Sequence, residues 1–145
     1  MPPALYWFCR LFVGGILLAS AVGKSLDLPG FIQILTTYRA FPGWTLWPIG
    51  LAIIGLEWML AVSLLLGWRL RTGILVAFIL NTGYAMWMMI TLLRGLELTN
   101  CGCFGAFFPQ PLRWYSPLED LVLVGMCYAL RRCVKQGSLP VDRLS

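Results

Sequence analysis

The stretch LWPIGLAIIGLEWMLAVSLLL, residues 46–66, carries a single ionisable side chain, Glu57. A helix of that length rises about 30 Å, the thickness of a bilayer's hydrocarbon core. A helix on the surface of a soluble domain needs a polar face, and this stretch has none. It therefore predicts a membrane span. The whole chain agrees: of its 145 residues 59% are hydrophobic and only 12% charged, with a mean hydropathy of +0.79. A soluble domain carries roughly 25% charged residues to cover its surface.

Three more segments of this kind, residues 4–22, 70–93 and 117–134, complete the expected fold. It is all-α: a single-domain integral membrane four-helix bundle. Gly67 closes the second span, and Arg69 and Arg71 make a basic turn into the third. Ser116-Pro117-Leu118-Glu119 reads as a capping box with proline at the first helical position. Asp120 adds negative charge at that helix's positive end, and Arg131, Arg132 and Lys135 sit at its negative end. Arg10, the apolar run behind it and Ala19-Ser20-Ala21 imitate a cleavable signal. Yet the apolar run already begins at Leu5, which predicts a retained span.

Between the first two spans, Phe31, Ile32, Ile34, Leu35 and Tyr38 recur at helical spacing after Pro29, with Gln33, Thr36, Thr37 and Arg39 between them. This pattern predicts a short amphipathic helix lying in the membrane interface. Trp44 and Trp47 beside it fit an interfacial aromatic belt.

Orientation follows from the basic residues in short loops. Arg10, Arg69, Arg71, Arg131, Arg132, Lys135 and Arg143 fall on one side of a four-span chain. Only Lys24, Arg39, Arg94 and Arg113 fall on the other. Both termini are therefore expected in the cytoplasm, in a bacterial inner membrane, with the loop after the third span in the periplasm. The net charge of +5 reads as membrane topology, with lipid and not nucleic acid as the partner.

That outer loop contains TNCGCFGAFFP, residues 99–109. Of five cysteines, Cys9, Cys127 and Cys133 fall within predicted spans or at their ends and read as small buried apolar residues. Cys101 and Cys103 lie in the loop, in a compartment where disulfides persist. A bond across one intervening residue distorts favoured disulfide geometry and is easily reduced. Gly102 supplies the backbone freedom such a ring needs. Arg94 and Arg113 flank the loop and are candidates to stabilise a thiolate. So small a ring removes little chain entropy, which favours thiol–disulfide exchange over passive stapling. A structural disulfide and a two-thiolate site for a soft ion such as Cu(I) are the alternatives; with no histidine, a four-ligand zinc site is not expected.

Glu57 is the second constellation. An ionisable group at mid-span faces the bundle interior and has a partner or a task. Asn81 and Tyr84 near the middle of the third span are the expected hydrogen-bond partners, so Glu57→Gln is expected to fold. Arg10 and Lys24 are about 21 Å apart along one helix, so both cannot reach Glu57. Lys24 is expected nearer the outer face, where Asp27 is a candidate partner.

These residues resemble a known family. Arg10, Gly23-Lys24, the stretch from Pro29 to Tyr38, Leu56-Glu57 and Asn100-Cys101-Gly102-Cys103-Phe104-Gly105 are similar in order and spacing to the methylamine-utilisation MauE family, within the wider DoxX-like group of four-helix membrane proteins. The resemblance implies a redox-associated membrane protein that works with a periplasmic thioredoxin-like partner in maturing disulfide-rich enzymes. On that analogy Cys101 and Cys103 exchange disulfides, supported by Gly102, Phe104 and Gly105. DoxX-like relatives include a membrane subunit of a thiosulfate:quinone oxidoreductase, which makes a quinone a possible cofactor. A self-contained relay to quinone would call for a second outer cysteine pair, and residues 25–45 contain no cysteine. The second reading is a non-catalytic subunit or assembly factor of a larger membrane complex.

Overall fold

The computed structural model describes residues 3–96 and 98–135. Arg143 of the orientation count and the C-terminal residue Ser145 lie outside the described residues. Those described form five helices and no strand: α1 (Pro3–Leu26), α2 (Leu28–Thr37), α3 (Gly43–Leu66), α4 (Leu70–Leu93) and α5 (Ser116–Lys135). The all-α expectation holds, with four long helices and one short one.

Three of them, α1 from Ala4, α3 and α4, are long and apolar enough to cross a membrane. α5 does not reach that mark, because Glu119, Asp120, Arg131, Arg132 and Lys135 dilute its apolar run. A fourth span over residues 117–134 is therefore not established by length and composition. Large apolar side chains face outward along the bundle, among them Phe8, Leu51, Met59, Ile79 and Leu121. That is the surface expected against lipid tails, and one a soluble monomer rarely presents.

The first span runs past its expected end at residue 22, because nothing in Gly23-Lys24-Ser25 breaks a helix. The break comes at Asp27, whose Oδ1 accepts the Gly30 N–H at 2.9 Å and caps α2. Lys24 is thus held inside α1, and Asp27 is occupied with its own helix. At the start of α5, the Ser116 hydroxyl accepts from the Arg113 N–H (3.1 Å) and the Ser116 N–H donates to the Arg113 carbonyl (3.0 Å), so Ser116 closes the preceding turn in place of the predicted capping box.

α1 packs lengthwise on α3 and α4 on α5, while α1 also meets α5. Arg10 closes one end of the α1–α3 pair: its Nε donates to the Leu64 carbonyl (2.6 Å) and its Nη2 to that of Leu65 (3.3 Å). These are carbonyls that a helix C-terminus leaves unpaired. Gly67 follows with φ +84°, and a Cβ there would lie 2.7 Å from the Arg10 guanidinium. Tyr6, Val13, Leu64, Ile74 and Leu130 make the core of this end, together with Cys9, Cys127 and Cys133. These three cysteines are buried, as their apolar reading expects. A second, smaller core at the other end gathers Tyr38, Met88, Leu98, Leu112 and Cys101. It seats the cysteine loop.

Candidate functional site: a dithiol loop on a buried ion pair

The loop is braced by its own polar groups. Asn100 Oδ1 accepts from the Gly102 N–H (2.9 Å) and the Gln110 N–H (3.4 Å), while its Nδ2 donates to the Gly105 carbonyl (3.2 Å). The Cys101 N–H donates to the Gln110 carbonyl at 2.7 Å, and the Tyr38 hydroxyl to the Cys101 carbonyl at 2.6 Å. Gly102 and Gly105 take φ +75° and +77°, a region that side chains disfavour. The loop then rests on the α1 backbone. A Cβ on Gly23 would collide with the Phe104 carbonyl oxygen, and one on Gly105 with the Gly23 carbonyl. Two glycines, one from each segment, permit this contact.

Cys101 and Cys103 are free thiols, the first buried and the second half-buried. The Cys103 N–H donates to Cys101 Sγ at 3.4 Å. The two sulfurs are not equivalent. A hydrogen bond from the Cys103 thiol draws the Cys101 thiol below its ordinary range, against the opposing effect of burial. Cys103 is pushed far up, first because its proton is held in that bond and then by burial; Lys24 acts in the lowering direction. The pair is therefore asymmetric: of the two, Cys101 is the thiol that gives up its proton more readily, and Cys103 the one that holds it. The Tyr38 hydroxyl, raised by burial first and by both cysteines next, stays protonated and able to donate.

Beneath the loop lies an ion pair. Lys24 Nζ donates to Glu57 Oε1 at 2.6 Å, and both residues are buried, at 3% and 0% exposure. The Tyr84 hydroxyl donates to the same Oε1 (2.7 Å). The Ser20 hydroxyl accepts from Lys24 (2.9 Å) and stands within reach of two acceptors, Glu57 Oε2 at 3.0 Å and the Cys103 carbonyl at 2.6 Å. With one proton to give, Ser20 joins the carboxylate to the loop backbone.

The structure thus brings Lys24, Glu57 and Tyr84 together with the cysteine pair. Asn81 lines the larger cavity with them, but its Nδ2 donates to the Ala77 carbonyl (2.8 Å) in place of the expected bond to Glu57; Asp27 stays away, capping α2. Arg10 serves the far end of α1. Arg94 donates to the Tyr38 carbonyl (3.1 Å) and so reaches the loop only through Tyr38. Arg113 is exposed, its N–H on Ser116. The cation that bears on the thiols is Lys24, not either arginine.

Two residues that hold the site together were not anticipated. Ser20 sits one helical turn before Lys24, a spacing that places both on one face of α1 and was there to be read. Tyr38 counted as an apolar position of the expected amphipathic helix but lies just past the end of α2, and nothing local marks its hydroxyl for the Cys101 carbonyl. Both thiols stand in the walls of two cavities. One, of about 190 Å³, is apolar and aromatic, with Phe31, Tyr38, Trp87 and Lys24. The other, of about 360 Å³, carries Ser20, Glu57, Tyr84 and Asp120. Among the described residues no group of three or more histidines, cysteines and carboxylates is placed to hold a metal ion.

The family model for methylamine utilisation protein MauE matches residues 2–131. The methylamine utilization protein MauE of Paracoccus denitrificans is 27% identical over 128 residues, 88% of this chain and 69% of the relative. That of Methylorubrum extorquens is 28% identical over 112 residues, covering 77% and 60%, and that of Paracoccus versutus 22% over 124 residues, covering 86% and 67%. The chain therefore spans about two thirds of these relatives' length. No solved structure matches it significantly. With the family model covering both the Lys24–Glu57 pair and the CGCFG loop, the chain belongs to the MauE family.

Proposed function

We propose that this protein is a membrane thiol–disulfide exchange component that uses Cys101 and Cys103 with a periplasmic thioredoxin-like partner, in the maturation of a disulfide-containing enzyme of methylamine utilisation. The observation that carries this reading is the asymmetric dithiol: a Cys101 thiol drawn down by the Cys103 proton beside a Cys103 thiol pushed up, both held in a braced loop. The Cys101 thiolate attacks one sulfur of a partner disulfide. A Cys101–partner bond forms and a partner thiolate leaves. Cys103 loses its proton and attacks Cys101 Sγ, forming the Cys101–Cys103 bond and expelling the second partner sulfur. The reverse sequence oxidises a partner dithiol at the expense of the Cys101–Cys103 bond. Two features favour that reverse direction: the ring across one residue is strained, and the lowered Cys101 thiol favours the reduced form.

Replacing both cysteines by serine is expected to abolish exchange while leaving the protein membrane-inserted. Alkylation mass shifts on intact cells check the chemistry, with and without reductant. A pair that stays fully reduced in the periplasm would overturn the reading. The reading also needs four spans, with α5 crossing as the last. Reporter fusions after Gln110 are expected to report the periplasm, and those after Arg69 or at Ser145 the cytoplasm. The reverse pattern would put both thiols in a reducing compartment and end the proposal.

A second reading, a non-catalytic subunit or assembly factor of a larger membrane complex, draws on Trp44, Trp47 and Trp114, which are 81%, 49% and 77% exposed. Exposed tryptophans suit both an interface and a membrane belt. Under this reading the double serine variant keeps its function.

A further inference from the structure

We propose that Asp120 is the proton-exchange partner of Cys103. The inference rests on the exchange reading and goes beyond it, because neither sulfur chemistry nor family membership says where the Cys103 proton goes. Cys103 must lose that proton each time it attacks Cys101 Sγ, and regain it when it is expelled.

The larger cavity holds three carboxylates with the thiols: Glu57, Asp120 and, at its exposed edge, Glu119. Glu57 is engaged: its oxygens face an ammonium and two hydroxyls, from Lys24, Tyr84 and Ser20. Asp120 is its opposite. Its Oδ2 is buried and has no hydrogen-bond partner. A buried polar atom left without a partner costs about 1–3 kcal/mol and calls for an explanation. The cavity supplies one. Its volume of about 360 Å³ and the polar groups set in its largely apolar wall admit several waters, each needing roughly 10–15 Å³. Water there links Cys103 Sγ to Asp120 Oδ2, among the described residues the buried carboxylate oxygen left without a partner. Glu119, exposed on the same helix and also lining the cavity, carries the proton onward to solvent.

In the resolving step the Cys103 S–H proton passes to Asp120, the sulfur's electron pair forms the bond to Cys101 Sγ, and the partner thiolate leaves with the electrons of the broken mixed disulfide. In the reverse step Asp120 returns the proton to the expelled Cys103. The charged and titratable groups around this transfer are Lys24 from α1, Tyr38 beyond α2, Glu57 from α3, Tyr84 from α4, Glu119 on α5 and Cys101 in the loop. Lys24 is the cation among them and is bound to Glu57, so it steadies the Cys103 thiolate without competing for Asp120.

The test uses the full-length reduced protein in detergent and an aromatic disulfide, dithiobis-nitrobenzoate, which releases one coloured thiolate at each of the two steps. The single variants Cys101→Ser and Cys103→Ser assign each phase to its thiol. The double serine variant gives the background from the three buried cysteines. Asp120→Asn is expected to slow the Cys103 phase roughly 10²-fold at neutral pH, within the usual range for a general base, and to leave the Cys101 phase near wild type. The loss should shrink as pH rises and hydroxide replaces the carboxylate. Asp120→Glu keeps a base and is expected to retain most of the rate, which also covers the case of an asparagine variant that folds poorly. Equal slowing of both phases, or a Cys103 phase that keeps its rate and pH profile in Asp120→Asn, overturns the proposal. A wild-type protein that releases only one thiolate has no resolving step, and overturns the exchange reading together with the role of Asp120.

Discussion

In detergent, Glu57→Gln is expected to unfold the half of the protein that seats the cysteine loop, lowering stability by about 3–5 kcal/mol, the cost of leaving a buried charge without its partner. The side chain looks replaceable, since an amide keeps the shape and still accepts from Tyr84 and Ser20. What it cannot replace is the charge facing Lys24. That ammonium is 3% exposed, 2.6 Å from the carboxylate, and beyond Glu57 its polar contacts are one hydroxyl and two aromatic faces. Neither Phe31 nor Tyr84 substitutes for an anion: a cation–π contact is worth about 0.5–2 kcal/mol, well short of the loss. The damage is also not local. Lys24, Glu57 and Ser20 tie α1 to α3 and, through the Cys103 carbonyl, to the loop. Thermal melts of purified protein check this, and the double variant Lys24→Met with Glu57→Leu is the informative control. Removing both charges should recover much of what Glu57→Gln loses, because an apolar pair avoids the desolvation that the ion pair suffers. A Glu57→Gln melt indistinguishable from wild type would show that Lys24 finds another partner and that the pair is not a clamp.

This outcome reverses the one that sequence alone suggests, and the reason is physical. Reading Glu57 as a buried carboxylate is secure, because an isolated charge in residues 46–66 has nowhere else to go. Choosing its partner is not, because that choice depends on where α1 ends. With α1 stopped near residue 22, Lys24 falls in a loop and Asp27 is its natural mate. With α1 continued to Leu26, Lys24 turns inward one helical turn after Ser20. Four residues of helix decide the ion pair. The three helices long and apolar enough to cross a membrane, the short helix α2 and the apolar character of Cys9, Cys127 and Cys133 were legible, since each rests on a periodicity or a run that a helix cannot disguise. The same holds for the CGC loop as a break between helices. Contacts between distant segments were not legible: Tyr38 on the Cys101 carbonyl spans sixty-three positions, and nothing in either neighbourhood announces it. α5 shows the opposite failure. Its capping signals and apolar residues suggest a span, but its charged ends dilute the run below what length and composition alone can certify.

Gly23→Ala is expected to disable the cysteine loop even though helix propensity predicts the reverse. Gly23 lies inside α1, where alanine is favoured by about 0.5–1 kcal/mol. The new methyl, however, would point into the Phe104 carbonyl oxygen, a backbone atom that cannot rotate away. Either the loop lifts or α1 shifts, and overpacking of this kind costs about 1–3 kcal/mol, which outweighs the propensity gain. The loop is the softer side, because α1 is fixed along α3 and by Arg10 at its far end. Lifting the loop separates the Cys103 carbonyl from Ser20 and the Cys101 carbonyl from Tyr38, the contacts that hold the two thiols over the ion pair. A displacement of about 1 Å at reacting groups costs on the order of 10²-fold in rate, so exchange should fall by that factor while the membrane helices stay folded. Gly15→Ala provides the control. It lies on the same helix, a Cβ there meets nothing within 4 Å, and it should be neutral or slightly stabilising with exchange intact. Paired melts and exchange rates for the two variants separate the effects. If Gly23→Ala and Gly15→Ala behave alike in both measurements, the loop is not seated on α1 through Gly23, and the placement of the thiols over Lys24 and Glu57 loses its support.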